Sequence, residues 1–171
     1  CYNYGIFNCI IFPLEEVKNM RNNSMQYYNN FNNNFYLNQN NIVSIYDCFC
    51  YNQKTELFTG DNQNYCNLCK QKFDSLYTSK IFSSPIILVL ILNRGKDNKY
   101  NIKLNFFETI DITSFVMQRD KPNMIYNLYG VITHIGESGP NAHFVASCKS
   151  PIDNKWYRYN DSFVNPISNI E

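Results

Sequence analysis

Charge is scarce in this chain. Of 171 residues only 17% are Asp, Glu, Lys or Arg, against about 25% in soluble domains at large. Fifteen basic and fourteen acidic residues leave a net charge of +1. A balance so close to neutral gives no electrostatic footprint for nucleic acid or an anionic membrane, and neither is expected as a partner. Long apolar runs are missing too. The longest strongly apolar stretch, Pro85 to Leu92, falls far short of the ~20 residues a membrane-spanning helix needs. No basic, then apolar, then small-residue succession follows Cys1, so no secretory signal is read. Histidine occurs twice, at 134 and 143.

Asparagine and aromatic residues fill the space. The chain holds 28 asparagines, with 14 Tyr, 13 Phe and one Trp. Aromatics in that number supply a hydrophobic core, which excludes a highly charged disordered tail. Seven cysteines stand at 1, 9, 48, 50, 66, 69 and 148. An odd count suits a complete disulfide framework poorly, so a reducing compartment, cytoplasm or nucleus, is expected. Cys66 and Cys69 have the C-x-x-C spacing of a metal knuckle or a redox pair.

Along the chain, Tyr4 to Phe12 reads as a strand entering the core. Residues 19–41 contain 11 asparagines and no clear period, and read as a loop-like surface insertion. Ser44-x-x-Asp47 has the form of a capping box and predicts a short helix over 45–52. Gly60-Asp61-Asn62 is a turn signal, and Phe73 to Ser79 looks extended. Ile86 to Leu92 reads as a strand buried on both faces. Gly95 to Asn98 turns the chain, and Tyr100, Ile102 and Leu104 alternate as a half-buried strand. Tyr126–Ile135, Ala142–Lys149 and Lys155–Asn160 are read as strands. A loop at Gly136–Asn141 and a turn at Lys149–Asn154 separate them. Many short strands and little helix predict a mainly antiparallel β or α+β domain.

The chemistry is sought at His143. A symmetric hairpin centred between Pro151 and Ile152 pairs Ser147 with Trp156, Val145 with Arg158 and His143 with Asn160. Opposed residues stand about 4.5–5.5 Å apart at Cβ, close enough for an Asn oxygen to accept from an imidazole N–H. Such a bond fixes the ring and its tautomer and leaves the second nitrogen as a base. The bland alternative is a cross-strand polar pair without chemistry. Cys148 stands at odd spacing from His143, so it faces the other side of the sheet.

Several segments together carry a resemblance. They are Tyr129-Gly130-Val131-Ile132-Thr133-His134-Ile135-Gly136, Ala142-His143-Phe144-Val145-Ala146-Ser147-Cys148 and Trp156-Tyr157-Arg158-Tyr159-Asn160-Asp161-Ser162-Phe163-Val164. Upstream come Ser44-Ile45-Tyr46-Asp47-Cys48-Phe49, Phe58-x-Gly60, Tyr65-Cys66-x-x-Cys69 and Pro85 to Arg94. In this order they resemble the fingers, palm and histidine box of ubiquitin-specific proteases, over nearly the whole chain except the Asn-rich segment.

The resemblance implies a papain-like cysteine protease fold, with ubiquitin and ubiquitinated proteins as partners. It makes His143 the general base, Asn160 the third triad member and Asp161 an acidic neighbour that supports the site. It places His134 and Phe144 along the channel for the ubiquitin C-terminal Gly-Gly. Ala142 stands where the family has Gly, and its Cβ restricts the loop 136–141. No cofactor is implied for catalysis. The family's fingers hold a structural zinc on two C-x-x-C pairs: Cys66 and Cys69 match the second pair and Cys1 opens the first, but Tyr4 replaces its second Cys.

The family's nucleophile, in a Gly/Asn-rich box opening a helix, has no counterpart in these residues. Cys9 and Cys50 sit in apolar segments with no cation or helix N-terminus to activate them. Residues 1–171 are therefore expected to be part of a larger catalytic domain and inactive alone. Two other readings stand beside this one: a ubiquitin-binding module without catalysis, and a zinc-knuckle interaction domain whose His143 hairpin is structural.

Overall fold

The computed structural model describes residues 5–29, 42–94, 102–118, 124–136 and 143–170. In chain order the first elements are β1 (Ile10–Pro13), α1 (Leu14–Asn29), β2 (Ile42–Ser44), α2 (Ile45–Asn52), β3 (Thr55–Phe58), β4 (Asn64–Cys66), β5 (Gln71–Phe73) and β6 (Ser75–Thr78). There follow β7 (Leu90–Asn93), β8 (Lys103–Asn105), β9 (Thr109–Asp111), β10 (Ile125–Asn127), β11 (Gly130–Ile135), β12 (His143–Lys149), β13 (Trp156–Asn160) and β14 (Phe163–Ile167). Short strands predominate among the described residues, with two α-helices, as the strand-and-turn pattern predicts. Among the described residues β1 pairs with β7 and β2 with β8 in parallel, and all other strand pairs are antiparallel.

The helix α2 follows from its cap. Ser44 accepts from the Tyr46 N–H at 3.2 Å, and the Asp47 carboxylate accepts from the Ser44 N–H at 2.8 Å. Ile45, Cys48 and Phe49 form its buried stripe. Phe49 sits edge-on to Phe12 at 5.3 Å and stacks on Phe115 at 5.1 Å. Leu14, Val17, Val43 and Ile112 are fully buried in the same cluster. Burying each such side chain stabilises the fold by about 1.5–3 kcal/mol before entropy is counted.

Several expectations need correction. The strand expected over Tyr4 to Phe12 is limited to Ile10–Pro13. The loop expected from residue 19 is helical through Asn29; residues 30–41 lie outside the described residues. Glu15 and Glu16 in its first turn complement the helix dipole, Leu14 and Val17 anchor it in the core, and Arg21 lies 3.7 Å from Asp47 of α2. Tertiary packing thus overrides the poor helix propensity of asparagine. The apolar run Ile86–Leu92 is a strand only from Leu90, and Ile86 is 97% exposed. The strand expected over Tyr126–Ile135 breaks at Leu128 and Tyr129, where the Leu128 N–H donates to the Glu108 carbonyl. The turn expected at Gly95 to Asn98 lies outside the described residues.

The last sheet has the order β11-β12-β13-β14. Val145, Ser147 and Trp156 are its buried residues. The edge strand β14 tolerates Pro166 because an edge leaves one row of donors unused.

Candidate active site

The hairpin β12–β13 carries the site, and its register differs from the symmetric expectation. Ser147 pairs with Arg158, not Trp156, and Lys149 pairs with Trp156. The cause lies in the turn. Ser150 N–H donates to the Lys155 carbonyl at 2.8 Å and Asn154 N–H to the Ser150 carbonyl at 2.9 Å. Asn154 takes a left-handed φ of 57°, which asparagine tolerates better than most residues. The closing pair is therefore Ser150 and Lys155 rather than Lys149 and Asn154, which shifts the turn centre by one residue and every partner by two. A shift of two preserves the faces, because side chains alternate with period two.

His143 opens β12 and Asn160 closes β13. They are diagonal neighbours, and the expected contact survives: His143 Nε2 and Asn160 Oδ1 are 2.6 Å apart. The Asn oxygen has no proton, so this contact is a hydrogen bond when Nε2–H donates, the tautomer that in a neutral ring leaves the Nδ1 lone pair free. Asp161 Oδ2 stands 3.9 Å from the same Nε2, with its side chain 79% exposed. Asn160 pairs with Phe163 across the two-residue loop Asp161-Ser162, and Asp161 adopts a φ of 50° there. His134 lies directly opposite Phe144 on β11 and β12, with ring centroids 5.0 Å apart. By strand alternation this pair occupies the opposite face from His143, whose own partner on β11 is Ile135. Ala142 and the loop 137–141 lie outside the described residues.

Cys148 pairs with Gly130 and Tyr157, on the face away from His143. Burial, then the Asp47 carboxylate, pushes the Cys48 thiol up to about 12 and raises Cys50 as well. Such thiols resist ionisation and make poor nucleophiles. A cavity of about 370 Å³ lined by residues including Glu108, Lys149, Ser150 and Asn154 lies at the other end of β12 from His143. The polar site candidates do not line it.

The hairpin β4–β5 holds Cys66 and Cys69. The Cys69 N–H lies 3.5 Å from Cys66 Sγ. With further hydrogen bonds from the Leu68 N–H and the Cys69 thiol, it holds the Cys66 thiol below its ordinary value. Closed structural zinc sites take four ligands. Among the described residues no group of three or more His, Cys, Asp or Glu side chains could hold a metal ion. Cys1, the expected third donor, lies outside the described residues. The described donor set therefore does not make a zinc site.

Nothing in the local sequence marks Asp161 as a left-handed position or β14 as a strand. The two-residue spacing between Asn160 and Phe163 is the one signal for that hairpin.

The chain is mostly β, and it joins a histidine to an asparagine across adjacent strands. The family model for ubiquitin carboxyl-terminal hydrolases matches residues 6–171, and the chain belongs to that family. It is 33% identical to ubiquitin carboxyl-terminal hydrolase 2 of Gallus gallus over 74% of this chain and 36% of that protein. It is 30% identical to ubiquitin carboxyl-terminal hydrolase 48 of Gallus gallus, over 77% of this chain and 13% of that protein. With hydrolase 2 of Bos taurus the identity is 30%, over 75% and 22%. The chain thus spans about a third or less of the length of these relatives.

Proposed function

We propose that this chain supplies the His/Asn half of a papain-like cysteine protease that hydrolyses the bond after the C-terminal Gly of ubiquitin. The observation that carries the reading is the 2.6 Å contact between His143 Nε2 and Asn160 Oδ1. With Nε2 committed to Asn160, Nδ1 is the atom that exchanges protons with the reacting groups. A thiol contributed by a further part of the protein loses its proton to Nδ1 and attacks the glycine carbonyl. The resulting imidazolium then protonates the departing amine. Water, deprotonated by the same nitrogen, cleaves the thioester and regenerates the thiol. Asn160 keeps the ring in one orientation through both half-reactions. Asp161 adds negative charge beside the imidazolium. Ubiquitin and ubiquitinated proteins are the partners of this reading, in the cytoplasm or nucleus.

The test compares two proteins on a fluorogenic ubiquitin C-terminal substrate. One is the 171-residue chain, the other a longer form that includes the nucleophile-bearing part. The longer form is expected to turn over, to be blocked by thiol alkylation and to lose activity with His143→Ala while still binding ubiquitin. The short chain is expected to be silent. Unchanged turnover in His143→Ala rejects the reading; ubiquitin binding without any turnover in the longer form makes the protein a non-catalytic binding module.

A further inference from the structure

The β4–β5 hairpin carries two thiols that the proposed hydrolysis leaves idle. Cys66 ends β4 and pairs with Gln71. The four residues Asn67–Lys70 form the turn, closed by the Lys70 N–H on the Cys66 carbonyl at 2.8 Å and by a left-handed Lys70 φ of 58°. This turn brings the Cys69 N–H to 3.5 Å from Cys66 Sγ. Cys69 is exposed and Cys66 is half-buried, so a small oxidant reaches both.

We propose that Cys66 and Cys69 are a redox site that forms a reversible intrachain disulfide, in place of the structural metal centre the family pattern implies. Two thiolates complete only half of a four-ligand zinc site, and Tyr4 stands where the family pattern has the thiol that partners Cys1. Among the described residues no metal-binding group includes the pair, and a dithiol that holds no metal keeps its redox chemistry. Because both thiols belong to one turn, with the Cys69 N–H already 3.5 Å from Cys66 Sγ, closure requires only local side-chain rotation. Disulfide geometry tolerates Cα separations of about 4.4–6.8 Å.

The reaction uses a hydroperoxide as the oxidant. The Cys66 thiolate attacks the O–O bond, which breaks to release an alcohol, or water when the oxidant is hydrogen peroxide, and leaves a sulfenic acid. The Cys69 thiol then attacks that sulfur. Its proton and the sulfenic hydroxyl leave as water, and the S–S bond forms. The two thiols lose two electrons and two protons in all, and the hydroperoxide takes them up. An external dithiol reverses the step by exchange. Cys48, by contrast, is buried and is expected to stay reduced.

The full chain, purified reduced, is treated with stoichiometric hydrogen peroxide, trapped with N-ethylmaleimide and mapped by peptide mass spectrometry. The peptide containing both residues is expected to lose two hydrogens, to escape alkylation and to recover with dithiothreitol. In Cys66→Ser the Cys69 thiol is expected to remain alkylatable under the same treatment. Near-stoichiometric zinc that protects both thiols until a chelator removes it overturns the proposal. So does oxidation of each cysteine separately to sulfinic acid with no joined product. If Cys66→Ser does not fold, the wild-type map alone decides.

Discussion

His143 and Asn160 meet at 2.6 Å although they are diagonal rather than directly opposed on β12 and β13. Diagonal neighbours stand about 7–8 Å apart on the backbone, so both side chains must lean toward each other. The contact therefore depends on the reach of the asparagine and on the hairpin turn that sets the register.

Replacing Asn160 with Ala removes the oxygen that holds Nε2–H. In an active form of the protein kcat is expected to fall on the order of 10²-fold, the lower end of what a positioned acid–base group contributes, with KM little changed. Asn160→Asp keeps an acceptor of the same length and is expected to retain activity within about tenfold. Steady-state kinetics on a ubiquitin substrate check both, and equal losses in the two variants would count against the orienting role.

Asp161 also bears on the backbone of the loop between β13 and β14. Its φ of 50° costs an ordinary L-residue roughly 1–2 kcal/mol, and glycine nothing comparable. Asp161→Gly is expected to fold as well as the parent, while Asp161→Ala lowers the urea midpoint by an amount equivalent to about 1 kcal/mol. Both variants remove the carboxylate 3.9 Å from His143, so the difference between them isolates the backbone. Identical midpoints for the two would show that the turn does not depend on this residue.

The cap of α2 was legible because it is local: Ser44 and Asp47 are three residues apart and need no distant partner. Ser44→Ala is expected to cost about 1 kcal/mol, read as a shift in denaturation midpoint, and Ser44→Thr or Ser44→Asp to recover most of it. No shift on removing Ser44 would mean that the N-terminus of α2 is held by packing alone.

Other elements were illegible for equally physical reasons. The helix α1 carries asparagine after asparagine from residue 19 onward, and its support comes from Leu14, Val17 and the Arg21–Asp47 pair, which join it to the core and to α2. Propensity reads the local chain and misses such distant partners. The run Ile86–Leu92 is apolar, but much of it is exposed in these residues, and apolarity says what a segment prefers rather than what is beside it. The site pair was foreseen on a register wrong by two. It survived because an even shift leaves both residues on one face, whereas a slip of one would have separated them. The turn geometry behind the shift rests on the left-handed Asn154, one conformation among several open to that sequence.

The same turn offers a pH-dependent test. Asp153 accepts from the Tyr157 hydroxyl at 2.7 Å and from the Lys155 N–H at 3.2 Å. Hydrogen bonds from Tyr157, Ser150 and then Lys155 hold its carboxyl below the usual value, and the carboxylate in turn raises the Tyr157 phenol. A folded carboxyl pKa below the unfolded one contributes stability above the unfolded value, and that contribution disappears as pH falls through the folded value. A folded phenol pKa above the unfolded one contributes below the unfolded value and is lost as pH rises through the folded value. The bond thus supports the hairpin between roughly pH 4 and pH 10, the two unfolded values. Asp153→Asn is expected to be less stable than the parent at about pH 7, with the difference shrinking steadily below about pH 4 as the parent carboxylate protonates. Chemical denaturation across that range checks it. A difference as large at about pH 2 as at neutrality would show that the residue acts through packing or turn conformation, not through its charge.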